Sequence, residues 1–293
     1  MKELRRKIHI RREQLVSIMM LWPSILGVLL FFLLPFAVVC YYSMIDSPLR
    51  QNFVFLENYI QIIQNSSFLL AAKNTAMFSA LAVPLAVVLA LGLALLLESR
   101  IPGKSQFRTF FLSPMMVPVA SVVLVWQVLF HVNGAANQIL TFFGSSGIDW
   151  LKSDQAQIVV ILLFLWKNLG YNMILFMASL SNIPQDLLEV ADIEGASPWY
   201  KFTRIKLRYL SPTILFVTIL SLINSFKVFR EIYLLTGSYP YESLYTLQHF
   251  MNNTFHALNY QKLSAAAVLM AIVMVAIIAI LFFVEDRFGK DVE

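Results

Sequence analysis

The chain has 293 residues, of which 59% are hydrophobic and 13% charged, against roughly 25% charged in a soluble domain, and its mean hydropathy is +0.71. A water-soluble fold this apolar would lack the polar surface to stay dissolved, so the sequence is read with the bilayer as solvent. The net charge of +5 fits basic loops at a membrane face and not nucleic acid, because no basic stretch is interleaved with the aromatics that stack on bases.

A membrane-crossing helix needs roughly 20 apolar residues. Six stretches reach that length: Ile18–Tyr42, Thr75–Leu97, Phe107–Phe130, Gln155–Ser179, Leu210–Tyr233 and Ser264–Val284. The first follows a basic tail but is too long for the apolar region of a signal peptide, and no small-residue cleavage site follows it. It reads as a retained helix with Pro23 near its start and a kink at Pro35. The single cysteine, Cys40, lies inside this run; it reads as a packing residue, and no Cys/His spacing suggests zinc. The first, third and fifth connections are polar, with Trp and Tyr at their edges, as membrane interfaces favour. Ala135 to Phe143 reads as a short surface helix.

Orientation follows from counting Lys and Arg. With the N-terminus inside, the cytoplasmic pieces carry fifteen: six in the tail (Lys2, Arg5, Arg6, Lys7, Arg11, Arg12), three at Arg100, Lys104 and Arg108, four at Lys201, Arg204, Lys206 and Arg208, and two at Arg287 and Lys290. The opposite face has four: Arg50, Lys73, Lys152 and Lys262. Both termini are therefore expected in the cytoplasm. The organisation expected is a basic tail over 1–17, a six-helix domain over 18–284 and a C-terminal tail over 285–293.

The connection over 181–209 is too long for a bundle turn, where about 2–8 residues suffice. Pro184 suits the first position of a helix. Asp186 and Glu189 lie towards its positive end, Ile183, Leu187, Leu188 and Ala191 make an apolar stripe, and Gly195 suits the C-cap. Ser197-Pro198 then reads as a new cap and first residue. Lys201, Arg204 and Arg208 share one face of the helix that follows, placed to meet lipid phosphates. Two short helices with a tight glycine break, feeding straight into the fifth span, make a unit suited to receiving a mechanical push.

The run Glu189-Val190-Ala191-Asp192-Ile193-Glu194-Gly195-Ala196-Ser197, with Ile205 and Leu207 downstream, resembles the EAA loop of binding-protein-dependent ABC importer permeases. Val190 stands for the second-position Ala, Glu194 for the Asp before Gly, and Arg208 for Pro, while the spacing is intact. Leu56-Glu57-Asn58-Tyr59, Gly147-Ile148-Asp149-Trp150-Leu151, Trp166-Lys167-Asn168-Leu169-Gly170-Tyr171-Asn172-Met173, Phe226-Lys227-Val228-Phe229 and Leu235-Thr236-Gly237 are similar to the carbohydrate uptake branch and to its first, maltose F-type permease. The resemblance implies an all-α integral membrane fold, the type I ABC importer transmembrane domain. It also implies a bacterial inner-membrane location, a second homologous permease as heterodimer partner, two ATPase subunits, an extracytoplasmic binding protein and an oligosaccharide or related sugar as cargo. By the same resemblance Glu189, Ala191, Asp192, Glu194, Gly195, Ala196, Ile205 and Leu207 couple to the ATPase. A side chain at Gly195 would obstruct the turn.

The chain has no ATPase motif of its own: Gly103-Lys104 lacks the upstream glycine of a phosphate loop, position 98 being Glu. ATP and Mg would then bind the partner, with no cofactor and no catalytic or metal site on this chain. The alternative is an ion-coupled secondary sugar transporter, which would place carboxylates or unwound backbone at the midplane. The spans carry no Asp or Glu away from their ends, with Glu231 read at the outer edge of the fifth. Polar residues inside spans are costly and mark function. Asn168, Asn172, Asn224, Lys227 and Gln127, with Phe226 and Phe229 as stacking faces, are the candidate substrate-pathway residues. Trp126 and Trp166 are further stacking candidates, and Lys167 is read as snorkelling or pairing with a carbonyl. The competing reading is that these polar groups bond one another between helices.

Overall fold

The computed structural model describes residues 17–98 and 102–289. The basic residues of the N-terminal tail, Arg100 and Lys290 lie outside the described residues. Among the described residues the secondary structure is helical apart from one isolated bridge between Ile45 and Phe53. The helices are α1 (Ser17–Tyr42), α2 (Glu57–Ile63), α3 (Ser66–Glu98), α4 (Lys104–Met116), α5 (Val119–Leu129) and α6 (Ala135–Phe142). Then follow α7 (Ala156–Ser181), α8 (Gln185–Ile193), α9 (Leu207–Phe226), α10 (Phe229–Thr236), α11 (Leu247–His256) and α12 (Tyr260–Gly289). A turn at Pro198–Tyr200 and a π-helical stretch at Lys201–Lys206 lead into α9, so that Pro198–Thr236 runs as one long apolar segment.

Among the described residues five helical segments are long and apolar enough to cross a membrane, or six if the bent pair α4 and α5 is counted as one span. The third expected stretch, Phe107–Phe130, is therefore two helices and not one. α4 and α5 meet at 101°. Val117 is extended at φ −85°, ψ 131°, and Pro118 at φ −56°, ψ 136°. The ring of Pro118 disfavours the helical conformation for the residue before it and supplies no N–H to continue the ladder. Pro35 acts more gently, as expected of a kink: the turn before it widens to a π-helix over Leu29–Leu33, with the Leu34 N–H reaching back to the Leu29 carbonyl.

The chain forms two compact units. One comprises residues 17–63 with Thr254–Ile272. In it Asn58 donates to the carbonyls of Ser43 (3.0 Å) and Ile45 (2.9 Å), and the Ser43 hydroxyl meets that of Tyr59 at 2.6 Å. The Asn-Tyr of the Leu-Glu-Asn-Tyr run therefore ties the end of α1 to α2.

The other unit comprises Gln64–Asn253 with residues 273–289, and contains the candidate functional residues. Its centre is α3 against α7 and α9. Ala82, Ala86, Ala90 and Ala94 are all fully buried on one face of α3, and small residues let membrane helices approach closely. α7 and α9 run antiparallel and are cross-linked at three levels: Asn224 to Asn168 (2.9 Å), Asn172 to Ser221 (2.9 Å) and Thr213 to Ser179 (2.9 Å). Ser79 and Ser225 join α3 to α9 at 2.8 Å. Each such bond between membrane helices is worth only about 0.6 kcal/mol, so the ladder fixes register more than it supplies bulk stability. The connection after α10 is held by Asn74, which donates to the carbonyls of Glu242 (2.6 Å) and Tyr245 (3.0 Å), and by Gln157, which donates to that of Ser243 (2.9 Å).

At Gly170 the backbones of α4 and α7 touch: a Cβ there would stand 1.8 Å from the Phe111 carbonyl oxygen. The neighbour is backbone and cannot rotate away, so Gly170→Ala is expected to push α4 outward. The cost is about 1–3 kcal/mol, the range of an overpacked core. A lowered thermal unfolding temperature of the purified protein in detergent checks this; an unchanged midpoint refutes the contact.

Candidate functional site

Two breaks in helical backbone face one cavity of about 680 Å³. The first is the Val117–Pro118 kink, which presents Met115 and Val117. The second is the α9–α10 junction, where Lys227 is the C-cap of α9 and Val228 the N-cap of α10. Only the first leaves helical torsions, at Val117 and Pro118, which membrane proteins tolerate where the backbone is buried in protein or lines a water-filled space; at the second, Lys227 and Val228 keep right-handed helical torsions. The remaining wall comes from α7 (Leu163, Phe164, Lys167, Asn168, Tyr171), from Leu220 and Asn224 of α9, from Phe229, Arg230 and Glu231 of α10, and from Gln248 of α11.

The cavity is polar at its centre. The Nζ of Lys167 pairs with Oε1 of Glu231, whose side chain is 9% exposed. This corrects one sequence reading, since Lys167 finds a carboxylate and not a carbonyl; Glu231, near the end of the Pro198–Thr236 segment, is buried against the middle of α7. Asn224 donates to Asn168 Oδ1, and Asn168 donates to the Phe164 carbonyl at 2.8 Å. Lys227 and Arg230 are exposed, with no carboxylate at ion-pair distance among the described residues. Behind Phe229 lies His249, fully buried, its ring edge-on to the phenyl at 4.6 Å. Burial pulls the His249 pKa down to about 4, so this imidazole is neutral and serves as a packing wall, with Nδ1 2.9 Å from the Thr246 hydroxyl.

Of the seven substrate-pathway candidates, the structure brings Asn168, Asn224, Lys227 and Phe229 together on the cavity wall. It does not bring the other three. Asn172 is 1% exposed and spent on Ser221. Gln127 donates to the carbonyls of Leu234 and Leu235, tying α5 to α10, and Phe226 is off the wall. Trp126 stacks on Phe130 at 5.2 Å and leans on Trp166. Sequence reasoning missed Tyr171, Arg230, Gln248 and the kink residues; Pro114 and Pro118 were the available signal for the last.

The second candidate site is the segment over 181–209. α8 opens at Pro184 and closes in a Schellman motif: Ala196 N–H bonds the Ala191 carbonyl at 2.8 Å and Gly195 N–H bonds that of Asp192 at 3.1 Å. Gly195 takes φ +77°, and a Cβ built on it meets nothing within 4 Å. The glycine is required by its left-handed backbone, which corrects the expectation of obstruction within this chain. Ser197 caps the next turn, its hydroxyl accepting from Tyr200 N–H at 3.2 Å, with Pro198 at the first position.

Ile183 and Ala191 are buried here, with Leu188 and Ile205 partly buried against the same core, and Leu207 opens α9. Glu189 and Glu194 are exposed and Ala196 is half-buried. Asp192 pairs with Lys201 across the glycine turn, and Lys206 with Glu98 at 2.6 Å. Lys201 is thus committed to a carboxylate and not presented to lipid phosphates as expected. Among these acids the outward surface also carries apolar side chains: Val190 is 52% exposed, Ile193 86% and Trp199 72%. Sequence reasoning missed this face.

Residues 82–293 match the family described as binding-protein-dependent transport system inner membrane component. The trehalose/maltose transport system permease protein MalF of Thermococcus litoralis is 30% identical over 285 residues, 96% of each chain. The sn-glycerol-3-phosphate transport system permease protein UgpA of Agrobacterium fabrum is 31% identical over 284 residues, 94% of this chain and 96% of that one. In fold, the chain superposes on a chain of the bacterial ABC transporter that imports the acidic polysaccharide alginate, with a TM-score of 0.81 at 22% identity, over 97% of this chain and 99% of that one. The same transporter in complex with its alginate pentasaccharide-bound periplasmic protein gives 0.82 at 22% identity, over 96% and 97%.

Proposed function

We propose, for a chain that belongs to the family of binding-protein-dependent transport system inner membrane components, that it is the permease through which an ABC importer passes an oligosaccharide or related sugar. The observation that carries this reading is the meeting of the α4–α5 kink and the α9–α10 junction on one cavity whose apolar wall carries a few amide and charged side chains. Amides at Asn168 and Asn224 and ring faces at Tyr171 and Phe229 suit sugar hydroxyls and sugar faces.

The chain is a transport subunit and not an enzyme. A partner ATPase binds and hydrolyses ATP with Mg, and two copies serve a pair of permeases, this chain and a homologue. A binding protein delivers the sugar from outside. The excess of Lys and Arg on one side supports a cytoplasmic location for both termini and for the segment over 181–209, with 1–17 and 285–293 as tails of the permease domain.

In this arrangement the exposed apolar face of α8, with Glu189 and Glu194 beside it, sits in a cleft of the ATPase. The Gly195 turn, the Ser197 cap and the Asp192–Lys201 pair join α8 rigidly to the helix that becomes α9. α9 has 20 residues, roughly 30 Å at 1.5 Å per residue, and ends at Lys227 on the cavity wall. ATPase closure therefore moves one wall of the cavity through a single rod.

Purification of this chain from its native membranes in mild detergent is expected to recover a second permease and an ATPase at 1:1:2. Reconstitution of that complex with the binding protein is expected to give sugar uptake that requires ATP. Recovery of this chain alone, or uptake driven by an ion gradient without ATP, would overturn the reading.

A further inference from the structure

We infer that the cavity selects a negatively charged sugar, one bearing carboxylates or a phosphate ester. The inference rests on the reading that this cavity lies on the substrate path. Four ionisable chains with fixed charge line it: Lys167, Lys227 and Arg230 against Glu231. Lys167 and Glu231 neutralise one another. Lys227 and Arg230 remain, both exposed at the α9–α10 break, with no carboxylate at ion-pair distance among the described residues.

The fold gives a reason for only one of the two. Lys227 caps the C-terminus of α9, where the helix dipole favours a cation. Arg230 stands in the first turn of α10, where the dipole disfavours one. The same turn already holds the acid the dipole favours, Glu231. An uncompensated cation at membrane depth is costly and marks function. A guanidinium beside an ammonium gives a planar fork and a point charge, the donors that carboxylate and phosphate oxygens accept from. Asn168 and Asn224 on the facing helices, with Tyr171 and Phe229, supply the contacts a sugar ring needs.

The test uses the assembled importer, with its second permease, ATPase and binding protein, in liposomes. Uptake is measured for trigalacturonate, glucose 1-phosphate and the neutral maltotriose. One of the charged sugars is expected to be taken up at least tenfold faster than maltotriose, and which one distinguishes carboxylate from phosphate. Uptake of that sugar is expected to weaken with added salt. Arg230→Gln with Lys227→Gln is expected to raise its KM at least tenfold, and Arg230→Lys with native Lys227 to restore most of the loss. Preferred uptake of maltotriose overturns the inference and leaves the transport reading standing; the two cations would then meet carboxylates of the second permease. An unchanged KM in the double glutamine variant also overturns it. No ATP-driven uptake of any of the three overturns the inference together with the reading beneath it.

Discussion

Replacing Gly195 by valine or aspartate is expected to cut ATP-driven uptake about five- to thirtyfold while the permease still inserts and assembles. The magnitude follows from the backbone. Gly195 sits at φ +77°, and a left-handed residue with a Cβ costs roughly 1–2 kcal/mol, a factor of about 5–30 in the population of the turn. Nothing within 4 Å of the position would clash, so the penalty acts through geometry. Without the Schellman closure, α8 swings relative to Ser197 and α9, and motion of the ATPase no longer reaches the cavity wall. Hydrolysis by the complex should persist or rise as uptake falls, the signature of uncoupling, when both are measured in the same liposomes. Asparagine and aspartate tolerate this backbone better than residues with a branched Cβ, so Gly195→Asn should retain the most activity, Gly195→Asp lie between, and Gly195→Val retain the least. If asparagine fails as badly as valine, the partner's surface packs directly on the glycine and the backbone argument is wrong. Glu189→Lys is expected to uncouple too, by reversing the charge of an exposed side chain on the α8 surface; full transport by both classes of variant would remove the coupling role altogether.

The segment over 181–209 was legible because its signals are local. Pro184, Gly195 and Ser197-Pro198 each act on the backbone within a residue or two, and the structure has a cap or turn at each. Five of the six apolar stretches were legible for the same reason. The cavity was not, because its parts are brought together by packing. Lys167 and Glu231 are 64 positions apart, and neither says that the other is its partner. Asn168 and Asn172 looked equivalent at one turn's spacing, yet four residues rotate a helix by about 40° beyond a full turn. That rotation is enough for Asn168 to face the cavity while Asn172 sinks against Ser221. The kink at Val117 is a different failure. Pro114 and Pro118 were in plain view, but Pro84 and Pro212 sit inside continuous helices, so a proline in an apolar run does not by itself say where a span breaks. The alanine row on α3 was equally visible, and a reading by hydropathy alone passes over it, since alanine scores as one more apolar residue.

Lys167→Met alone is expected to lower the stability of the purified complex by about 2–3 kcal/mol. Removing one partner of a fully buried pair typically costs about 3–5 kcal/mol, because the survivor is left charged and dry. Here the Lys167 side chain keeps 25% exposure, and solvent relieves part of that cost. The unfolding midpoint in detergent should fall by about 5–10 °C, at roughly 2–4 °C per kcal/mol for a protein near this size. Glu231→Gln should fall similarly, leaving Lys167 unpaired beside Lys227 and Arg230. The double variant Lys167→Met with Glu231→Leu should recover most of the loss, since an apolar pair of similar volume removes both charges at once. The coupling energy of that cycle measures the pair. Near-additive losses would mean that each residue is held by something else, and the ion pair would be incidental. Recovery in the double variant makes the pair the device that keeps Lys167 out of the cavity's net charge. The field a passing sugar meets is then set by Lys227 and Arg230 alone, and uptake in the double variant should keep the charge preference of the native permease even where its rate has changed.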